Sequence, residues 1–428
     1  MSSPPTLSDF VDQEVLPRLA AGVVYRPARL EDTGGRFWRG VCPFHADDHS
    51  SCPIQVDTAT LRWSCLDGCH KGGQSFLAFL NKGRFPRAGS GELREALALA
   101  ADLASLPQDR IPDFSLADEL HTAEAERVAS LLETFFLQAH LALLAEPASP
   151  GPCLSNAARA WLVDQGFDPS SLGELPIGLY VDGRAVRQGL LAAGFAVEET
   201  EASALAADPR LAGRLLGPIR DRWGRIRSFW ARRPQDRPSR FLFKGKWKEE
   251  VGLFGLDVAM HPSAGGSTNL VVVEWLLDAL LLQSIGLRSV AAIGGPPKEL
   301  GVRRWERLWS LGVRRLILVL EHAARPPDDI AAALRSAFRV KHPAEVYVLL
   351  PKSLRGCGSL ADLLRAQGLA AVQAILETEP VHGSSLASSS ILGRRRIGVA
   401  RPAAPSTRQP AETCPIHRCA ADDCFCFD

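Results

Sequence analysis

The chain has no run of about eighteen apolar residues, the least that a membrane-spanning helix needs. Its first residues, Met1-Ser2-Ser3-Pro4-Pro5, lack the charged segment and apolar stretch of a secretory signal. Both absences predict a soluble, cytoplasmic protein with no membrane partner. Excess charge of one sign is missing too: 49 Lys and Arg stand against 48 Asp and Glu, a net charge of +1. No global field therefore draws the chain to nucleic acid, and any such contact must come from a local patch. Gly-x-x-x-x-Gly-Lys-Ser/Thr does not occur, which excludes a fused P-loop helicase. What is present is length and apolar content. The 428 residues are 46% hydrophobic, enough for two to four packed domains. The ten cysteines gather toward the two ends in metal-ligand spacings, so reduced thiols holding zinc suit them better than disulfides.

Cys42-Pro43-Phe44-His45 is followed about twenty residues on by Cys65 and Cys69. Two pairs of soft or borderline ligands from two turns are what one tetrahedral Zn²⁺ takes. Between the pairs, Ile54-Gln55-Val56 and Leu61-Arg62-Trp63 alternate in a way that suits the hairpin of a zinc ribbon. The predicted ligands are Cys42, His45, Cys65 and Cys69. Cys65-x-x-x-Cys69 is one residue wider than the usual knuckle, so His49, Cys52 and His70 stand as substitutes. The plain alternative is a scatter of reduced cysteines and histidines in a core. At the far end, Cys414-Pro415-Ile416-His417-Arg418-Cys419 precedes Cys424-Phe425-Cys426. Cys414, His417, Cys424 and Cys426 are the best four ligands for a second zinc, with Cys419 as substitute; the alternative is a thiol-rich tail.

The pattern predicts an α+β multidomain chain: an N-terminal zinc ribbon, a mixed α+β basic subdomain, and an α/β unit with a parallel sheet. Residues 1–90 form the zinc unit, opened by a short amphipathic helix over 7–20. Residues 91–150 are helical, with helices at 92–106 and 122–144. Residues 151–265 begin as small helices and turn to strands and basic loops after about 214. From 266 to 370, strands at 269–273, 289–293, 315–320 and 344–350 alternate with helices at 276–285, 298–311 and 328–338. That rhythm implies a parallel sheet covered on both faces. Residues 371–412 read as a disordered linker, because Ser, Pro, Arg and Ala dominate from about 379 without periodicity. The Cys/His-rich tail occupies 413–428.

Between Arg214 and Lys248 lie twelve Arg or Lys and only two acids, with Trp223, Phe229, Trp230, Phe241, Phe243 and Trp247 interleaved. Cations beside aromatic faces can grip phosphates and stack unpaired bases. The same composition also describes a solvated basic face over a few core aromatics. Further on, Glu274 follows the run Val271-Val272-Val273. A carboxylate at a strand's C-terminal end sits where open α/β sheets place their chemistry.

Three stretches together resemble the bacterial-type (DnaG-like) DNA primases. Gly40-Val41-Cys42-Pro43-Phe44-His45, then Trp63-Ser64-Cys65, Cys69, Lys71-Gly72-Gly73 and Phe76-Leu77, look like that family's zinc-binding module. Gly217-Pro218-Ile219-Arg220-Asp221 with Gly224-Arg225, then Arg232 and Leu253-Phe254-Gly255-Leu256, look like the basic half of its catalytic core. The resemblance implies nucleotide and template contacts for Arg214, Arg220, Arg232, Arg240 and Lys244. Glu274, Asp278 and Ala292-Ile293-Gly294-Gly295 resemble a TOPRIM domain, which implies Mg²⁺ or Mn²⁺ on Glu274, Asp278 and Glu321. The family's second acidic element is Asp-x-Asp; here it reads Glu321-His322-Ala323, so one acid is replaced and the other is gone. The family's usual C-terminal helicase-interacting domain has no counterpart in the remaining residues. The resemblance implies primer synthesis on single-stranded DNA from ribonucleoside triphosphates, with any replicative helicase supplied in trans. A catalytically degenerate zinc-bearing DNA-binding scaffold is the rival expectation, and a TOPRIM nuclease a third.

Overall fold

Alternate residues of two neighbouring strands enter two separate cores, and that fact organises the larger half of the molecule. In β8 (Asn269–Val273) and β10 (Arg315–Val319), Val271, Val273, Ile317 and Val319 face one core, while Leu270, Val272, Leu316 and Leu318 face the other. Strands buried on both sides belong to parallel sheets. This is a computed structural model, and it describes residues 7–32, 37–44, 53–58, 61–65, 75–145, 154–203, 205–221, 224–234, 242–243, 253–260, 268–321, 327–340, 345–378 and 380–383.

Among the described residues three sheets form. The first is antiparallel, in the order β1 (Phe37–Val41), β2 (Pro53–Asp57), β3 (Arg62–Cys65). The β2–β3 hairpin is the one the alternation predicts, and β1, carrying Gly40, is the strand the sequence did not announce. Short helical turns open this unit: α1 (Leu7–Phe10) runs into one π-type turn and one 3₁₀ turn ending at Arg18, followed by α2 (Ala21–Val24). Trp63 ties the unit together. Its Nε1 donates to the Ser75 carbonyl at 3.1 Å just before α3 (Phe76–Leu80), and its ring lies 5.4 Å from Phe44 and 5.8 Å from Phe79. α4 (Glu92–Leu103) closes the same core with Leu93, Leu97 and Ala100.

α5 (Leu116–Leu144) starts six residues before the apolar pattern predicts. Ser115 Oγ accepts the Asp118 N–H at 3.2 Å and the Asp118 carboxylate accepts the Ser115 N–H at 3.1 Å, a reciprocal cap that extends the helix. α5 is long and apolar enough to cross a membrane by length and composition, yet Phe135, Ala139 and Leu143 are buried in protein cores. Its C-terminal half covers the second sheet, β4 (Gly178–Tyr180), β5 (Arg214–Arg220), β6 (Ile226–Arg232) and β7 (Leu242–Phe243), which is antiparallel. Helices α6 (Leu154–Asp164), α7 (Gly183–Ala192) and α8 (Val197–Ala202) fill the segment before β5. Gly217 of β5 is obligatory, because a Cβ there would overlap the Trp230 indole on β6.

The third sheet runs β12 (Val381–His382), β11 (Glu345–Leu349), β10, β8, β9 (Val290–Ala292), parallel except for β12. After α9 (Leu256–Ala259) come α10 (Leu276–Ser284), α11 (Val302–Ser310), α12 (Pro327–Arg339), α13 (Leu360–Gln367) and α14 (Leu369–Thr378). α10, α13 and α14 cover one face; α11 and α12 cover the other. The expected linker over 371–412 therefore begins too early. Val372, Ile375 and Leu376 form a buried helical stripe in α14, and Val381–His382 pair with β11. The Ser/Pro/Arg bias that suggested disorder belongs to the residues beyond.

Candidate metal and nucleic-acid site

Glu274 follows β8 directly, and Glu321 lies two residues beyond β10. These strands are adjacent and parallel, with Val272 opposite Leu318. In chain order the parallel strands are arranged second, first, third, fourth, so the connections from β8 and β10 leave in opposite directions and open a crevice between them. That switch point is where open α/β sheets bind ligands. Both carboxyl groups sit in it, Glu274 with no exposure and Glu321 at 2%. The Glu274 N–H donates to Glu321 Oε2 at 3.2 Å, and the Glu321 N–H donates to Glu274 Oε1 at 3.3 Å. The other oxygen of Glu321, Oε1, is buried with no hydrogen-bond partner.

Burial pushes the Glu321 carboxyl well above the usual carboxylate range, and the negative charges of Asp278 and Glu274 push it further. The Glu274 N–H opposes this, and Asp362 on α13 adds a smaller upward push. An ionised carboxylate with an orphaned oxygen is unfavourable in a dry crevice unless a proton or a cation joins it. Hard oxygen donors of this kind fit Mg²⁺ or Mn²⁺. Asp278 stands in the first turn of α10, half-buried. Among the described residues no three Asp, Glu, His or Cys side chains form a ready-made coordination shell, so a cation here would keep several waters, as Mg²⁺ commonly does. Ala323 lies outside the described residues. Asp329, a nearby acid in the sequence, is turned to Lys298 at 3.5 Å.

Cys42 and Cys65 are both buried. Val41 pairs with Pro53 and Ile54 with Cys65, so the two cysteines flank the start of the central strand β2. His45, Cys69 and all four tail candidates, Cys414, His417, Cys424 and Cys426, lie outside the described residues.

Among the described residues, the predicted basic positions divide between the two ends of the second sheet. Arg214 begins β5 and Arg232 ends β6 at the same end of the second sheet, as the Leu215–Arg232 pairing requires. Arg214 Nε donates to the Arg210 carbonyl at 2.6 Å, and the Arg232 guanidinium lies 4.8 Å from the Trp161 ring centre. Arg220 ends β5, roughly 20 Å away at about 3.3 Å per residue. There it is gripped by the Glu133 carboxylate of α5 and donates to the Gly224 carbonyl at 2.6 Å. Arg240 and Lys244 lie outside the described residues. Phe229 and Trp230 are core residues on opposite faces of β6, so neither offers a stacking surface. For these two aromatics the plainer of the two expectations holds. Glu133, which claims Arg220, was not found from sequence; an acid on the apolar face of a long helix was the available signal.

No family model matches the chain. It is 27% identical over 380 residues to the DNA primase of Streptomyces coelicolor, a match covering 83% of this chain and 54% of that protein. It is 28% identical over 304 residues to the DNA primase of Deinococcus radiodurans, covering 68% and 48%. The chain thus spans about half the length of the curated relatives it matches. Its fold matches the crystal structure of the zinc-binding and RNA polymerase domains of Aquifex aeolicus primase with a TM-score of 0.54 at 20% identity, covering 89% of this chain and 86% of that one. In sequence over most of its length, and in fold, the chain is similar to the bacterial, DnaG-type DNA primases.

Proposed function

We propose that the chain binds single-stranded DNA and synthesises short RNA primers from ribonucleoside triphosphates, in the cytoplasm, through a TOPRIM-like acidic site. The observation that carries this reading is the buried Glu274–Glu321 pair at the switch point, with Glu321 Oε1 unpartnered. Glu274, Glu321 and, through water, Asp278 would hold the divalent cation. When bound, that cation would offset charge on the transferred phosphoryl group and its leaving oxygen. The crossed N–H bonds would hold both carboxyl groups in place and leave Glu321 Oε1 for the cation. Arg214 and Arg232, which lie together at one end of the second sheet, would hold nucleic-acid phosphates, with Arg240 and Lys244 beside them. Arg220, enclosed by Glu133, serves the scaffold. Cys42, His45, Cys65 and Cys69 would bind a structural zinc, and Cys414, His417, Cys424 and Cys426 a second.

The test is primer synthesis on a single-stranded template with labelled ribonucleotides and Mg²⁺ or Mn²⁺. Products from the wild-type chain that disappear in Glu274→Gln support the reading. A folded wild-type chain that binds template but yields no product with either ion would favour the non-catalytic scaffold, consistent with alanine at position 323.

A further inference from the structure

Among the described residues, the N-terminal unit meets the rest of the molecule through charged side chains, most of them buried. Asp12 pairs with Arg225 at 2.7 Å across 213 positions of chain. Arg225 also pairs with Asp221 at 3.2 Å, and Arg227 reaches the same carboxylate at 2.8 Å. On the other flank, Arg62 of β3 donates to Glu126 at 3.2 Å and stands 3.9 Å from Glu133, which in turn grips Arg220. Four guanidinium groups thus face four carboxylates. The N-terminal unit supplies one of each, Asp12 and Arg62, and they engage different elements: Asp12 the β5–β6 turn, Arg62 helix α5. Two contacts on different elements define an orientation. Side chains at 9% exposure for Asp12 and 11% for Arg225 place the pair away from bulk solvent.

We propose that the face formed by α5 and the β5–β6 turn is a proton-linked seat for the N-terminal unit, centred on buried Asp12, and that the unit is held more tightly below neutral pH than above it. The seat acts on the placement of the unit and does not depend on the chemistry at Glu274. Asp12 faces Arg225 and Asp221 from the turn and Glu126 from α5. Burial raises its carboxyl to about 7, with Asp221 and Glu126 adding to the rise and Arg225 opposing it. The sign follows. When seated, Asp12 takes a proton more readily than when unseated, where its ordinary value is 3.8. Seating therefore gains its full proton-linked stability below the unseated value and loses it as pH rises through about 7.

Hydrogen exchange of the full-length chain, corrected for intrinsic rates and read over residues 7–18 and 221–227, tests this at pH 6 and pH 8. One linked proton predicts about tenfold weaker protection of these segments at pH 8, with β8 unchanged. Asp12→Asn should abolish the difference and keep at pH 8 the protection seen at pH 6. Glu126→Gln, which removes a charge that raises Asp12, should move the loss of protection to lower pH. Equal protection at both pH values in the wild-type chain overturns the proposal, as does a tenfold loss that survives in Asp12→Asn.

Discussion

Glu274 and Glu321 are joined by two crossed hydrogen bonds, each carboxylate accepting the other's backbone N–H at 3.2–3.3 Å. The arrangement locks two acids side by side. Glu321 carries a raised carboxyl, chiefly through burial. A raised acid lends stability below its unfolded value and withdraws it as pH rises through the folded one. In EDTA the wild-type chain should therefore melt lower as pH rises above the ordinary carboxylate range. Mg²⁺ should restore the loss, since a cation that binds only the native site stabilises it by mass action. Glu321→Gln should lose both this decline and the response to Mg²⁺. Thermal melts at two pH values, with and without the ion, read all three; an identical Mg²⁺ response in Glu321→Gln would remove Glu321 from the ligand set.

Cys42 and Cys65 give a second prediction. Elemental analysis of the full chain should return about two zinc ions, one for each proposed ligand set. Cys42→Ser or Cys65→Ser should lose one of them and expose the Trp63 cluster, because a structural zinc contributes directly to folding. Cys414→Ser should lose the other and leave the Trp63 environment intact. Retention of both ions in Cys65→Ser would break the N-terminal assignment.

Much of this was readable from the residues. The βαβ rhythm after 269 gave the strands and the end of β8, and hence the place of Glu274, because buried parallel strands leave an uninterrupted β-branched run. The β2–β3 hairpin followed from alternation. Strand β1 and the early start of α5 did not, since their signals are local: a glycine-containing strand with mixed burial and a capping pair at Ser115–Asp118. The fate of the arginines was unreadable in principle. Composition states that Arg220 is cationic, whereas its partner Glu133 lies 87 positions away in sequence. Nor does any pattern show that Trp230 fills a space left by Gly217, the reason this aromatic is core and not a base platform.

The arginines can be separated by experiment. Removing Arg220 leaves Glu133 only its longer contact with Arg62 at 3.9 Å, so Arg220→Ala should destabilise the chain, by at most about 3–5 kcal/mol. Its effect on the salt dependence of single-strand binding should be small. Arg232→Ala and Arg214→Ala should each lower the slope of log K against log salt by roughly 0.7 to 1. Denaturant melts and binding titrations over a salt series give both quantities. A slope change in Arg220→Ala equal to that in Arg232→Ala would place Arg220 on the nucleic acid after all.

The sharpest prediction concerns a residue that is missing. Glu321-His322-Ala323 carries one acid where the primases it resembles carry two, and the paired Glu274 and Glu321 supply one deeply buried oxygen without a partner. Such a site can hold a single cation with water completing its shell, but it has few charges to hold a second. Ala323→Asp adds a hard ligand two residues beyond Glu321. It should raise primer synthesis and lower the Mg²⁺ concentration needed for half-maximal rate, with little change in template affinity, because only the metal shell gains a charge. Glu274→Gln in the Ala323→Asp background should erase the gain, since the added acid works only beside the original pair. If wild type makes no primers and Ala323→Asp does, the natural chain is a binding scaffold that keeps an intact cleft. Equal rates and equal Mg²⁺ dependence in the two proteins would mean that position 323 does not face the cation, and that the Glu274–Glu321 pair alone sets its affinity.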